Sequence, residues 1–308
     1  MLNWQQLLTP DETALEVFTR AHQVRPIHTG IKALDHEVPQ GLDGDVVEVV
    51  GSAGSGKTEL LLNVLVTFLL SEPYDGIGAT ALFFDCDQRL QILRLRQLLH
   101  DRLTRCTACP PDQAEAEVEA SLHRLLVIRC PTAEHFLAAV HLIPVLLAQR
   151  PALRLLCVDS VTAFHWNERG TPFSDRCSSR AFSLLAEFAR RHHLVCFGTR
   201  PRFKFPLRAD PPWESAVTYR LDLQRTAVPP APPMSLAALL LPGQSRTGTT
   251  FPPPIEAAFS CDFSVTEQAL AEYTRGRWGP PTSLGQQQCL PSSVRYPFQV
   301  REGGLEFG

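Results

Sequence analysis

No apolar run in the 308 residues is long enough to span a bilayer. The longest, Leu60–Leu70, is eleven residues and contains Asn63 and Thr67. The start, Met1–Pro10, has no basic region followed by an apolar stretch, so no export signal is expected. Neither sign of charge dominates: the net charge is −3, and nothing global marks a nucleic-acid binder. Lysine is scarce. Only Lys32, Lys57 and Lys204 are present, and the other 26 of the 29 basic residues are Arg. Codon bias explains that imbalance as readily as chemistry, but a solitary Lys inside a Gly-rich loop stands out. Nine Cys, an odd number scattered from Cys86 to Cys289, read as reduced intracellular thiols rather than a disulfide framework. Cys106 and Cys109 form a C-x-x-C with no second pair or His at zinc spacing, which reads as chance. The histidines form no metal constellation, and no internal repeat is visible. What remains, 44% hydrophobic and 20% charged, excludes a disordered chain and suits one large α/β domain or two small ones.

Residues 1–27 read as a helical lead-in. Between 44 and 200 strand and helix signals alternate, as a parallel sheet with crossovers requires. The predicted strands are Asp45–Val50, Thr80–Asp85, Leu125–Arg129, Leu153–Asp159 and Leu194–Thr199. Each is short and nearly all apolar, the pattern of strands buried on both faces. Predicted helices are Lys57–Leu70, apolar all round; Gln88–Arg105, with Ile92, Leu95, Leu99 and Leu103 on one face; Ala133–Gln149, kinked by Pro144; and Ser178–Arg191. Ala216–Arg225 alternates Val217, Tyr219, Leu221 and Leu223, a strand with one solvated face. Residues 226–292 are rich in Pro, Ser, Gly and Gln and predict a largely loop-like insertion. The end predicts a hairpin turning at Gly303–Gly304.

The strongest signal is Gly51-Ser52-Ala53-Gly54-Ser55-Gly56-Lys57-Thr58, which matches G-x-x-x-x-G-K-[ST], the Walker A loop. An apolar strand runs into it and a helix leaves at Lys57, the context the motif needs. The glycines let the backbone curl so that N–H groups face phosphate oxygens, and the helix terminus adds its dipole. Lys57 reaches the β and γ phosphates of ATP, and the Thr58 hydroxyl ligates Mg²⁺. A second anchor follows about a hundred residues later, where an apolar strand ends in Asp159, the Walker B pattern for holding Mg²⁺. A third strand ends in Phe84-Asp85-Cys86-Asp87. Either Asp could polarise an attacking water, and either equally suits a helix cap.

These residues resemble the RecA-like recombinases and their eukaryotic paralogues. His28-Thr29-Gly30-Ile31-Lys32-Ala33-Leu34-Asp35 and Gln40-Gly41-Leu42-Asp43-Gly44-Asp45 are similar to the family's approach to the P-loop. Phe84-Asp85-Cys86-Asp87 is similar to its second-strand motif, and Asp159-Ser160-Val161-Thr162-Ala163 to its Walker B extension. Gly56–Leu60, Leu93–Leu95, Ala163-Phe164-His165-Trp166, Trp213…Val217…Arg220 and Gly303–Phe307 narrow the resemblance to one paralogue. It covers roughly 28–225 and the last dozen residues.

The resemblance implies an α/β RecA-like P-loop core over 28–225, a mostly parallel sheet flanked by helices, with a C-terminal antiparallel extension at 293–308. It implies homologous recombination in the nucleus, with no membrane partner. The subunit would assemble with other paralogues, above all the one known by the letter D. Together they would promote or stabilise the strand-exchange filament on single-stranded or branched DNA. Two departures matter. Where active family members carry a Glu that activates water, this sequence has Asp87, one methylene shorter. Where they carry a phosphate-sensing Gln at a strand end, it has Arg200-Pro201. Both predict ATP binding with slow or absent turnover. The segment from Arg200 to Arg208, with Arg202, Phe203 and Lys204, packs four cations and two aromatics into nine residues. The family places a DNA-binding loop there, and such a mixture suits single strands. Phe18-Thr-Arg-Ala21 resembles the F-x-x-A tether by which one recombinase subunit docks on the next; Phe136-Leu-Ala-Ala139 fits the same pattern inside a predicted buried helix. The competing readings are an autonomous DNA-dependent ATPase and an unrelated P-loop kinase or helicase. For a kinase, no Arg-bearing lid or acceptor site can be located.

Overall fold

The computed structural model describes residues 27–106, 109–164, 172–202 and 211–225, and the backbone of 257–265, 294–301 and 304–307. In chain order the elements are α1 (Lys32–Glu37), β1 (Val46–Gly51), α2 (Lys57–Leu69), a 3₁₀ turn (Glu72–Tyr74), β2 (Thr80–Asp85), α3 (Ile92–Arg105), α4 (Pro111–His123) and β3 (Leu125–Arg129). Then come α5 (Ala133–His141), α6 (Ile143–Gln149), β4 (Leu153–Asp159), α7 (Pro172–Arg191), β5 (Val195–Pro201), α8 (Pro211–Ala216) and β6 (Tyr219–Arg225). The series closes with β7 (Ala257–Val265), β8 (Val294–Arg301) and β9 (Gly304–Phe307).

Among the described residues all nine strands join one sheet, in the order β3-β2-β4-β5-β1-β6-β7-β8-β9. The pairings from β3 through β6 are parallel, and those from β6 to β9 are antiparallel. A six-stranded parallel sheet flanked by helices, with an antiparallel extension, is the architecture expected of a RecA-like core.

Alternation along each strand divides the core in two. Val47 and Val49 of β1, Phe83 of β2 and Phe197 of β5 face one layer, built from α1 to α4. Val46, Phe84, Leu156 and Cys196 face the other, built from α5, α7 and Trp213 of α8. Both layers are mainly hydrophobic because the parallel strands are largely apolar on both faces. Helix α2 fits this picture: Leu60, Leu61, Leu62, Val64, Leu65, Val66, Phe68 and Leu69 are all buried, so it lies sunk in its layer rather than on the surface. In the second layer the rings of Phe84, Phe136, Phe182 and Trp213 stand in series, with neighbouring centroids 5.2–5.4 Å apart. They link the end of β2 to α8.

Several boundaries differ from expectation for local reasons. Helix α3 starts at Ile92 rather than Gln88, because Gln88 sits at φ 54°, a left-handed conformation that ends any helical run. The Asp85 carboxylate accepts the Arg89 N–H at 2.9 Å and fixes that turn. Ile92 is consequently exposed, and Leu98 joins Leu95, Leu99 and Leu103 on the buried face. The kink expected at Pro144 is a break at Leu142 between α5 and α6; Pro144 is tolerated because it stands in the first turn of the new helix. Helices α4 and α8 were not anticipated. Residues 216–218 precede β6 as the end of α8 and a short link, and the strand begins at Tyr219. Strand β7 lies inside the stretch expected to be loop. The C-terminal hairpin forms, with Arg301 opposite Gly304.

Candidate nucleotide site

Parallel pairing brings the C-terminal ends of β1, β2, β4 and β5 to one edge of the sheet, the place where open α/β sheets bind ligands. The loop after β1 carries the first group of residues. Gly54 and Gly56 have φ of +73° and +89°, conformations that L side chains rarely adopt. A Cβ at Gly51 would stand 2.2 Å from Ser55 Oγ and 2.7 Å from the Leu223 carbonyl, so this position admits no side chain. Ser52, Ala53 and Gly54 are exposed at the crest, and the Ser55 hydroxyl is buried with no hydrogen-bond partner among the described residues. Lys57 opens α2, whose first-turn N–H groups lack intrahelical acceptors.

The Lys57 ammonium donates to the carbonyls of Gly51 at 2.9 Å and Ser52 at 2.7 Å, folded back over its own loop. Burial pulls its pKa below the usual lysine value, and the nearby Asp159 and Asp87 carboxylates oppose that shift. The Thr58 hydroxyl donates to Oδ2 of Asp159 at 3.3 Å, across 101 residues of sequence. Asp159 is buried, and burial is the main cause of its raised pKa. Hydrogen bonds from Thr199 and Thr58 act against the shift, and the charges of Asp87 and Asp85 add to it. The peptide bond from Asp159 to Ser160 is cis.

The two acids at the end of β2 take different parts. Asp85 is buried and spent on the turn, accepting N–H groups of Arg89 and Leu90. Asp87 is half-buried, and its charge acts on both Lys57 and Asp159. The N–H groups of Cys86 and Asp87 donate to the Asp159 carbonyl at 2.8 and 3.0 Å, which locks the ends of β2 and β4 together.

Of the residues singled out for DNA, Arg200 and Arg202 are paired with carboxylates of this chain, the first partly buried and the second at the surface. Arg200 pairs with Glu48 at 2.8 Å and Arg202 pairs with Asp222. Phe203, Lys204 and Arg208 lie outside the described residues, as do Phe18 and Ala21 of the tether. Phe136, the other fit to that pattern, is fully buried in the second layer.

Two polar residues that no motif singled out hold the site's frame. Glu48 is fully buried in the middle of β1, yet its carboxylate accepts from Arg200, from Trp213 Nε1 at 3.0 Å and from Arg220 Nε at 2.7 Å. Thr199, also fully buried, donates its hydroxyl to Oδ1 of Asp159. An acid in the middle of the otherwise all-valine run Val46–Val50 was a visible signal for the first. Nothing local marked the second.

The donor set fits a triphosphate with a divalent cation. A cationic Lys, open glycine-rich backbone, an unpartnered Ser hydroxyl and a Thr–Asp pair converge there. No family model matches the sequence. DNA repair protein XRCC2 of Mus musculus is 29% identical over 161 residues, 51% of this chain and 55% of that protein. The DNA repair protein XRCC2 homolog of Arabidopsis thaliana is 29% identical over 191 residues, 52% of this chain and 50% of that protein. DNA repair and recombination protein RadA of Methanoculleus marisnigri is 27% identical over 169 residues, 52% of this chain and 50% of that protein. The chain spans about half the length of the relatives it matches. It is similar to XRCC2 and to RadA, a RecA-family recombinase.

Proposed function

We propose that this chain is an ATP-binding, XRCC2-like RecA paralogue acting in DNA repair and recombination in the nucleus. Residues 28–225 form its nucleotide-binding core. It assembles with other paralogues, the one lettered D foremost, and promotes or stabilises a recombinase filament on single-stranded DNA during double-strand break repair. The observation that carries the nucleotide reading is the meeting of Lys57, Thr58 and Asp159 at the ends of β1 and β4. The names of the relatives carry the repair reading.

In this reading the backbone of Gly51–Gly56 and the Lys57 ammonium bind the phosphates. Lys57 exchanges its hydrogen bonds to Gly51 and Ser52 for phosphate oxygens of similar geometry. Thr58 and Asp159 hold Mg²⁺, which neutralises phosphate charge when bound. Turnover is slow or absent. Asp87 is a short acid where a longer one would reach water, and Arg200, in the place of a phosphate sensor, is committed to Glu48. Nucleotide then serves as a structural ligand. Segment 200–208 contacts single-stranded DNA through Phe203, Lys204 and Arg208, while Arg200 and Arg202 hold its base.

The test is ATP binding and turnover by the purified chain, with and without single-stranded DNA, beside Lys57→Ala. Expected are binding without appreciable turnover and a loss of affinity of at least about tenfold in the variant. Brisk DNA-stimulated turnover that disappears with Asp87→Asn would sink the structural-ligand reading and favour an autonomous ATPase; the reach of the Asp87 charge to Lys57 is the feature on that side. No binding at all would mean that the chain works through its surfaces alone.

A further inference from the structure

Thr199 stands where the two halves of the site meet. Strands β4 and β5 pair in parallel up to Val158 opposite Gly198, so the next rung sets Thr199 beside Asp159. The Thr199 hydroxyl donates to Oδ1 of Asp159, while Thr58 donates to Oδ2 at 3.3 Å. Each carboxylate oxygen therefore has one hydroxyl partner, and the plane of the carboxylate is set from both sides.

The two partners are not equivalent. Thr58 is half-buried at the mouth of the site, and its hydroxyl oxygen has lone pairs to offer a cation while its O–H is donated to Asp159. Thr199 is fully buried behind the carboxylate. Its backbone is fixed as well: the Thr199 carbonyl accepts the Val161 N–H at 2.9 Å, tying β5 to the turn that follows Asp159. Three residues on, the Arg202 N–H donates to the Gly51 carbonyl at 2.8 Å, the same carbonyl that receives Lys57. The end of β5 thus holds the cation carboxylate on one flank and the first residue of the phosphate loop on the other.

We propose that Thr199 is a positioning residue for the cation of the nucleotide site, fixing the Asp159 carboxylate through a hydrogen bond to Oδ1 so that Oδ2 and Thr58 face the ion. The proposal rests on the nucleotide reading above. A buried partner behind a ligating carboxylate governs cation affinity without touching the ion. It should therefore act on the part of nucleotide affinity that depends on Mg²⁺ and leave the rest alone.

The experiment measures affinity of the full chain for a fluorescent ATP analogue, with Mg²⁺ and with a chelator, for the wild type, Thr199→Val and Thr199→Ser. Thermal melts are run alongside. Valine keeps the shape and removes the hydroxyl; serine keeps the hydroxyl. The valine chain should lose about 10- to 100-fold of the Mg²⁺-dependent gain, with chelator affinity unchanged, and serine should restore it. A folded valine chain with the wild-type Mg²⁺ gain overturns the proposal. Should that chain not fold, Thr199→Ala against Thr199→Ser makes the same comparison, and a serine chain without the Mg²⁺ gain overturns it too. A wild-type chain that binds the analogue with no gain from Mg²⁺ overturns the cation reading itself.

Discussion

The Asp159 carboxyl is buried at the end of β4, at a cost to the fold. Burial raises its pKa, so above the ordinary Asp range the folded state is penalised relative to an unfolded state that solvates the carboxylate freely. The sign of the linkage follows. A raised folded pKa favours the fold below the unfolded Asp value, and that contribution is lost as pH climbs through the raised folded value. Lys57 is the mirror case: its folded pKa is depressed by burial, so its contribution is present above the ordinary lysine value and is lost as pH falls through the depressed folded value. Asp159→Asn removes the buried charge while keeping oxygen and nitrogen within reach of Thr58 and Thr199. It should raise the melting temperature of the ligand-free chain at pH 7, with the gain shrinking as pH is lowered toward the ordinary Asp range. The same variant should lose Mg²⁺-dependent ATP affinity. Thermal melts across pH check the first outcome, and nucleotide titrations check the second. A variant less stable than wild type at pH 7 would show that the hydroxyl bonds outweigh the burial cost.

Strand β1 shows how one buried charge can hold several elements. Glu48 joins β1 to β5 through Arg200, to β6 through Arg220 and to α8 through Trp213. Glu48→Ala leaves two guanidinium groups facing a vacated site, and breaking such a buried set costs about 3–5 kcal/mol. Denaturant unfolding should read a loss of that size. Phe136→Ala, a large cavity in the ring series of the second layer, should cost a similar ~3–5 kcal/mol by a different route. The two differ in ionic strength response: salt leaves the Phe136 penalty unchanged. The parallel strands were legible because burial on both faces made them nearly all apolar, and the loop after β1 stood out because the Walker A pattern asks for Gly, Lys and Thr at fixed spacing. Helix α4 was not, because it buries only a thin stripe, Ala114, Val118 and Ser121, beneath a Glu-rich surface. Helix α8 has little more than one turn and is anchored by a single ring, Trp213. Strand β7 sits among prolines and serines, and its place is set by pairing with β6 and β8, contacts that no local pattern encodes. Glu48 is a single polar residue in an apolar run and Thr199 only ends one, and their partners come from elements distant in sequence.

A chain with net charge −3 repels a polyanion on average, so any grip on DNA has to be local. Segment 200–208 is the cationic candidate, and its four cations are not alike. The Arg200 guanidinium is pinned to Glu48, which it shares with Arg220, and that of Arg202 is paired with Asp222, so both are already held by carboxylates of the sheet. Lys204 and Arg208 follow them in the chain. If these two carry the phosphate contacts, the log of single-strand affinity against log salt should flatten by about 0.7 for each one neutralised. The double variant Lys204→Gln, Arg208→Gln should therefore flatten the slope by about 1.4 with the melting temperature unchanged. Arg200→Gln should do the reverse, lowering the melting temperature and leaving the slope of the surviving folded fraction alone. A slope that responds to Arg200 and not to Lys204 or Arg208 would mean that Arg200 leaves Glu48 when DNA binds, and the end of β5 would then be a moving part rather than a fixed frame. Because the Arg202 N–H and Lys57 share the Gly51 carbonyl, such movement would be felt at the phosphate loop. Nucleotide affinity measured with and without single-stranded DNA should be equal for a fixed frame and unequal for a moving one.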